Sequence, residues 1–449
     1  MDFLKPIVRR VTYRYLMRRD GYDTRKIEVE LAASQFLSSN ELAALQLARL
    51  NRLLQYCMQH NTFYHSRCRQ AGFDPRSFRD LRDLAALPLL TKDDVRSAGA
   101  ELFSTGYTSA NSAHRRTGGS TGVPLRTYMD HPAVAFKKAA TLRHNAWANL
   151  RPGDRLAAVW GDTDKPQPVK TRLRNLLTDR AIYLDTLTFD EAHLARFVAD
   201  IRKYRPPVLM GHAHSIFRFA EYVRAMGTTD LVFQGIITTA MVLSDVERRT
   251  IEAVFCSPVF NRYGCEELSI IASECEAHEG MHICGEGLYV EVLEETASQP
   301  GKLVITDLVN YAMPMIRYEI GDYAVTQTGS CACGRGLPRL KAVVGRTADF
   351  LYTPEKTPVF GISILDTFVI HIPGLKQVQI VQDRFDHMDF YVVRDINFSE
   401  TTLALLQKNI TDLFGRQMRA DIHFVEQIAQ TERGKFRFSI CNIPPEQLP

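Results

Sequence analysis

Between Ala133 and Arg262 helical and strand-like patterns alternate, and this alternation limits the fold more than any other feature of the chain. Ala133–Trp147 has helical spacing of apolar residues, and Arg155–Trp160 is an apolar run of strand length. Phe189–Tyr204 reads as helix, Pro207–Met210 as strand, and a further helix runs to about Met226. Leu231–Thr239 and Val259–Arg262 read as strands around a helix at Ser244–Phe255, with Ser244 as its cap. Strand–helix–strand units of this length predict parallel strands with helices packed on the sheet faces. Ligands of such sheets bind beyond the carboxyl ends of the strands, so the residues after each strand are where chemistry is expected.

The 449 residues exceed one ordinary core, so more than one domain is expected. Residues 1–100 form a helical lead-in. A helix starts at Ser39-Asn40, with Asn40 as the expected N-cap, and Leu42, Leu45, Leu50, Leu53, Leu54 and Cys57 give it an apolar stripe. Leu87-Pro88-Leu89-Leu90 is a turn, followed by a helix capped by Thr91. A hairpin-like turn is expected before the strand Leu125–Met129. From Gly287 the pattern changes to short alternating strands at Leu288–Val292, Lys302–Asp307 and Met315–Tyr318, a β-rich subdomain over 287–345. After about Thr347, strands at Val378–Gln382 and Met388–Val393, an amphipathic helix at Thr401–Arg416 and a strand at Asp421–Val425 read as a compact α+β domain. The expected class is α/β. A large domain (1–346) has parallel-rich sheets flanked by helices, and a small α+β C-terminal domain covers 347–449.

A formal charge of +4 is too small to argue for nucleic acid. The first thirty residues are richer in base, including Lys5, Arg9, Arg10, Arg14, Arg18 and Arg19. Such a run fits a solvated helical face, an acidic carrier protein or a membrane surface. No apolar run approaches the ~18 residues that span a bilayer, and no export segment is evident, so a cytoplasmic chain is expected. Five of the nine cysteines lie between Cys265 and Cys333, and clustered Cys and His in such a chain point to metal before disulfides. Cys275, His282, Cys331 and Cys333 are the expected ligands of a closed tetrahedral zinc, with His278 and Cys284 as substitutes.

Five phrases are candidates for chemistry. Thr117-Gly118-Gly119-Ser120-Thr121-Gly122 packs glycines and hydroxyls where backbone N–H groups could approach phosphate oxygens, although an ordinary glycine-rich turn has the same residues. It has neither the spacing nor the lysine of a Walker A loop. Tyr263-Gly264-Cys265-Glu266-Glu267 follows a strand and offers an aromatic face, a glycine for close approach and a carboxylate for Mg²⁺. Gly321-Asp322 offers a carboxylate for two hydroxyls. Gly345-Arg346-Thr347-Ala348-Asp349 and Gly434-Lys435 are, by composition alone, a surface turn and a common dipeptide.

Together and in this order, these phrases resemble the motifs of the adenylate-forming superfamily: acyl- and aryl-CoA synthetases, nonribosomal adenylation domains and luciferases. The phosphate loop of that family reads [ST]-[SG]-G-[ST]-[ST]-G-x-P, and Thr117 to Pro124 match each fixed position. The resemblance covers Thr117–Lys435, and the Leu87–Asp94 phrase and the metal pattern are similar to the phenylacetate–CoA ligase-like and capsule-biosynthesis ligase-like branch. It implies that Thr117, Gly118, Gly119, Ser120, Thr121, Gly122, Tyr263, Gly264, Asp322 and Arg346 bind nucleotide. It also implies that Glu267 ligates magnesium, that Asp349 lies at a hinge and that Lys435 of a mobile C-terminal domain is catalytic. Members of this branch carry a similar zinc. Leu125 and Arg126 stand where a lysine is common, Glu266 replaces a threonine, and Met241 stands where the family often has Glu. His212, Thr239 and Met241 are the candidates for the acid pocket.

The expected activity is ATP-dependent adenylation of a carboxylic acid, aromatic given the branch, with transfer to CoA or a carrier-protein thiol. An amine or nitrite as substrate, or a non-catalytic capsule-assembly protein of the same fold, are the alternatives. A homodimer is left open.

Overall fold

The structure is a computed structural model. It describes residues 4–116, 125–161, 173–175, 177–186, 188–297, 299–346, 350–359, 368, 372–428, 438–444 and 447. Strands β1 (Ala113–Arg116) and β2 (Arg126–Met129) pair antiparallel as a hairpin. Among the described residues the large sheet has eleven strands. They are β3 (Leu156–Trp160), β4 (Ala181–Asp185), β5 (Val208–His212), β6 (Gly235–Thr239), β7 (Val259–Cys265), β8 (Ser269–Glu274), β9 (Met281–Ile283), β10 (Leu288–Leu293), β11 (Gly301–Asp307), β12 (Tyr318–Gln327) and β13 (Arg339–Arg346), in the order β10-β11-β12-β13-β9-β8-β7-β6-β5-β3-β4. The β4-β3-β5-β6-β7 part is parallel, and from β7 to β10 every pairing is antiparallel. The class is the mixed α/β one expected.

Local rules explain most element boundaries. Ser244 accepts from the Glu247 backbone while Glu247 returns a bond to the cap, starting the helix Asp245–Phe255, and Thr91 with Asp94 does the same for Lys92–Ala98. The helix Ser39–His60 is capped by Ser38, not Asn40, because Glu41 stands three residues after Ser38 and closes the reciprocal pair. The helices Glu191–Tyr204, Ala213–Ala225 and Asp245–Phe255 bury Phe197, Phe219 and Phe255 against the parallel strands. Each such side chain contributes on the order of 1.5–3 kcal/mol by leaving water. Leu50, Leu53, Leu54 and Cys57 of Ser39–His60 join a second core with Leu303 and Ile305 of the antiparallel part.

The strand expected at Met315–Tyr318 instead starts at Tyr318 and runs to Gln327. Arg317 holds the chain off the ladder. Its φ is 52°, its N–H donates to Thr306 Oγ1, and its carbonyl accepts from Leu90 N–H. The Leu-Pro phrase thereby docks beside β12 through a parallel bridge between Leu90 and Tyr318. The Arg317 guanidinium is buried and bonds Glu291 at 3.1 and 3.2 Å and the carbonyl of Ala85 at 2.9 Å. Removing one member of a buried charge pair strands the other, so Arg317→Ala is expected to cost about 3–5 kcal/mol, read by chemical denaturation. An unchanged transition would show that the pair contributes nothing.

β14 (Leu351–Tyr352) and β15 (Pro358–Val359) pair with each other. β16 (Leu375–Arg384), β17 (His387–Arg394), β18 (Arg419–Phe424) and β19 (Ser439–Cys441) form a separate sheet in the order β18-β17-β16-β19. The helix Glu400–Phe414 lies on it, and Phe368, Phe390, Leu406 and Phe414 share its core.

Candidate active site and metal centre

Two of the phrases singled out in the sequence meet at the end of β7. Tyr263 lies on β7, Glu267 in the turn between β7 and β8, and Tyr318 and Asp322 on β12. The Tyr263 hydroxyl donates to Asp322 Oδ2 at 2.5 Å, and the Tyr318 hydroxyl donates to Glu267 Oε1 at 3.3 Å. Two carboxylates and two phenols, each pair four residues apart in sequence, thus brace each other crosswise. Both carboxylates are buried. Burial and then the neighbouring Glu267 carboxylate push the Tyr318 phenol well up, which keeps it a donor. Gly264 is required here, since a Cβ would come 2.5 Å from the Ser269 carbonyl oxygen.

Asp322 lies directly across the ladder from Arg346, so the residues expected at the ribose and at the hinge block share one register pair. Thr117 to Gly122, Asp349 and Lys435 lie outside the described residues. Their frame is partly visible. Arg116 pairs with Arg126, the last register pair of the hairpin before residues 117–124. Asp130 caps the helix His131–Trp147 and accepts from Tyr311 N–H at 2.8 Å, which holds the hairpin against the segment leading into β12.

His212 and Thr239 end adjacent parallel strands in register. His212 is buried with its ring 4.5 Å from that of Trp160. Met241 faces a cavity of about 210 Å³ shared with Phe189, His214, Lys376, Gln377 and Val393, between the large sheet's helices and the C-terminal sheet. The candidates for an acid pocket therefore lie at strand ends, as the parallel topology requires. His214 bonds Glu247 at 3.0 Å, and His144 is buried on Ser273, so both have structural partners.

Sequence reasoning missed Lys137. It is buried on the helix His131–Trp147, where its ammonium donates to the Leu268 carbonyl at 2.9 Å and pairs with Asp307 at 2.8 Å. It pins the chain immediately after Glu267. The pair Lys137-Lys138 interrupts an apolar helical stretch, and nothing in the sequence says which of the two is buried with a partner.

Cys275, His282, Cys331 and Cys333 converge, each offering a ligand atom within 4.8 Å of the others. Cys275 Sγ and Cys331 Sγ are 3.7 Å apart, and Cys333 Sγ lies 3.3 Å from His282 Nε2. A tetrahedron with Zn–S of about 2.3 Å and Zn–N of about 2.0–2.1 Å has edges of about 3.8 and 3.5 Å, so the donor set fits closed tetrahedral zinc. His282 Nδ1 donates to the Leu337 carbonyl at 3.1 Å, which leaves Nε2 toward the centre. Burial lowers the His282 imidazole to about 4, so it stays neutral and able to ligate. Backbone N–H groups of Ala277 and Arg335 point at the sulfurs of Cys275 and Cys333 at 3.5 and 3.4 Å. The substitutes lie elsewhere, His278 on Glu274 and Cys284 beside Arg143.

Residues 351–442 match the family described as the CapK C-terminal domain. A phenylacetate–coenzyme A ligase of Thermus thermophilus is 28% identical over 336 residues, 70% of this chain and 72% of that protein. The protein CapK of Staphylococcus aureus is 24% identical, with 90% of each chain covered. A solved structure of 2-hydroxyisobutyryl-CoA ligase, in the postadenylation state with R3-HIB-AMP, superposes with a TM-score of 0.73 over 92% of this chain and 91% of that one at 20% identity. The fold is therefore that of 2-hydroxyisobutyryl-CoA ligase. In sequence the chain is similar to phenylacetate–CoA ligases and to CapK.

Proposed function

We propose that this chain activates a carboxylic acid with ATP and passes the acyl group to a thiol. A carboxylate oxygen attacks the α-phosphorus, the Pα–O–Pβ bond breaks, and pyrophosphate leaves. A thiolate then attacks the acyl carbon, and AMP leaves. In this reading the Thr117–Gly122 backbone receives the phosphates, Tyr263 lies along the adenine, and Asp322 accepts the ribose hydroxyls with Arg346 opposite it. Glu267, with the nucleotide phosphates, would hold Mg²⁺, which needs few protein ligands. Lys435 would enter the cleft from the domain beginning near 347, with Asp349 as pivot. The acid is proposed to be aromatic and bound near His212, Thr239 and Met241, with CoA or a carrier-protein thiol as acceptor. Zinc held by Cys275, His282, Cys331 and Cys333 is proposed to be structural, since four protein ligands leave no position for water.

The observation that carries this reading is the crosswise bracing of Tyr263, Asp322, Tyr318 and Glu267 at the strand ends. It preforms a pair of buried carboxylates beside one aromatic face. Asp322→Asn keeps the shape and removes the charge. It is expected to raise the KM for ATP about 10–100-fold in acid-dependent pyrophosphate exchange, the cost of weakening hydrogen bonds to a charged acceptor. Exchange with no acid from an aryl and fatty acid panel would reject the ligase reading, and turnover only with amines would reject the thiol acceptor.

A further inference from the structure

We infer that the first helical run of the chain is a docking face for an anionic lipid surface. The run consists of Leu4–Ile7, a wider π turn at Val8–Thr12, and Tyr13–Arg19. Its inner side is fixed to the body. Val8 and Met17 are buried, Thr12 Oγ1 donates to the Leu177 carbonyl at 3.0 Å, and Lys5 pairs with Asp154 at 2.5 Å. Arg14 grips Glu28 through both guanidinium ends, and the turn at Gly153 (φ 88°) lies so close that a Cβ there would come 2.6 Å from the Lys5 carbonyl oxygen.

The outer side is therefore held outward. It carries Leu4, Ile7, Val11 and Tyr15 at successive three- and four-residue steps, exposed by 49, 51, 59 and 65%. Single exposed apolar residues are ordinary, but a full helical stripe of them is not. Six basic residues and no acidic one lie between Leu4 and Arg19. Of these, Arg9 and Arg10 are exposed and form no ion pair with another described residue. Bases beside an apolar stripe that includes an aromatic residue suit the headgroup boundary of an anionic bilayer, where apolar side chains enter and guanidinium groups meet phosphates. An acidic carrier protein would meet the same bases, but it would leave four large apolar side chains without a matching apolar partner on its charged face. No helix among the described residues is long and apolar enough to cross a membrane, so this contact would be peripheral. A ligase so seated would act on acids or acceptors at the membrane surface. That extension rests on the proposed function, whereas the docking itself does not.

Co-sedimentation of the full chain tests it, with phosphatidylcholine vesicles against vesicles containing roughly one-third phosphatidylglycerol. Binding is expected only to the anionic vesicles, and it should weaken as salt is raised from about 0.05 to 0.5 M. Ile7→Glu with Val11→Glu, and separately Arg9→Glu with Arg10→Glu, should each lower partitioning roughly tenfold or more while circular dichroism stays unchanged. Tyr15→Trp should give fluorescence that shifts to the blue on adding anionic vesicles. Equal binding to both vesicle types, or full binding by the Ile7/Val11 variant, overturns the proposal. So does the absence of vesicle binding combined with capture by an acidic carrier protein, or with a dimer that the Ile7/Val11 variant dissolves. Pyrophosphate exchange measured in the same preparations separates failure of docking from failure of the ligase reading.

Discussion

Purified without chelators, the chain should carry one zinc ion, and Cys331→Ser with Cys333→Ser should remove it. Loss of a structural metal is among the few single causes that exceed about 4 kcal/mol, so the melting temperature should fall on the order of 5–10 °C. The expectation follows from what surrounds the four donors. Arg335, two residues after Cys333, bonds Glu276 and Gln35, and its guanidinium lies 4.8 Å from the Trp147 ring. Trp147 also donates to Gln35 at 3.2 Å, and the Gly336 N–H donates to the Gln35 carbonyl. The metal loop is thus tied to the end of one N-terminal helix and to the helix His131–Trp147. Release of the ion would leave three thiols and an imidazole in a space shaped for an ion and would loosen that junction. Cys284→Ser and His278→Ala should keep the zinc, because those side chains contact Arg143 and Glu274 instead. Elemental analysis showing no zinc in the wild-type chain, or unchanged melting of the double variant, would remove the metal from the account.

The elements that sequence located best are those fixed by local rules. Ser244 with Glu247 and Thr91 with Asp94 announce their helices, because the side chain that satisfies a helix's first N–H groups lies next to them in sequence. Ser38, Ser39 and Asn40 could each cap a helix, and only the spacing to Glu41 selects Ser38. The start of β12 was misplaced for a different reason. It depends on Leu90, more than two hundred residues earlier, accepting and donating at the edge of the ladder. Periodicity carries no information about such a partner. The same limit applies to the site. Tyr263 and Asp322 were legible as single residues through motif resemblance, but their contact depends on β13, β9 and β8 lying between their strands. Lys137 matched no motif, and its role is visible only once Asp307 and the Leu268 carbonyl are seen beside it. The four candidate ligands, Cys275, His282, Cys331 and Cys333, stood out because soft donors in two tight clusters have few other uses in such a chain.

Replacing Lys435 with Ala should slow acid-dependent pyrophosphate exchange by 10²–10³-fold or more while changing the affinity for ATP little. In the proposed reaction the carboxylate oxygen would approach the α-phosphorus beside two further buried carboxylates, Glu267 and Asp322, so negative charge would gather there. Magnesium at Glu267 would offset the β- and γ-phosphates, and the ribose would engage Asp322. Neither would relieve the forming bond, so the proposal calls for a further cation at the transition state. The large domain presents Lys137 nearby, but its ammonium is committed to Asp307 and the Leu268 carbonyl. Lys435, in the stretch between β18 and β19 of the C-terminal sheet, is the cation that motif order nominates. A group used only in the transition state lowers kcat when removed, whereas a group that binds the ground state raises KM, so Lys435→Ala and Asp322→Asn should separate on those two axes. Supplying preformed acyl-adenylate should restore thioester formation to Lys435→Ala, because the charge it stabilises belongs to the first step. Exchange at the wild-type rate in Lys435→Ala would show that the catalytic cation comes from elsewhere in the chain.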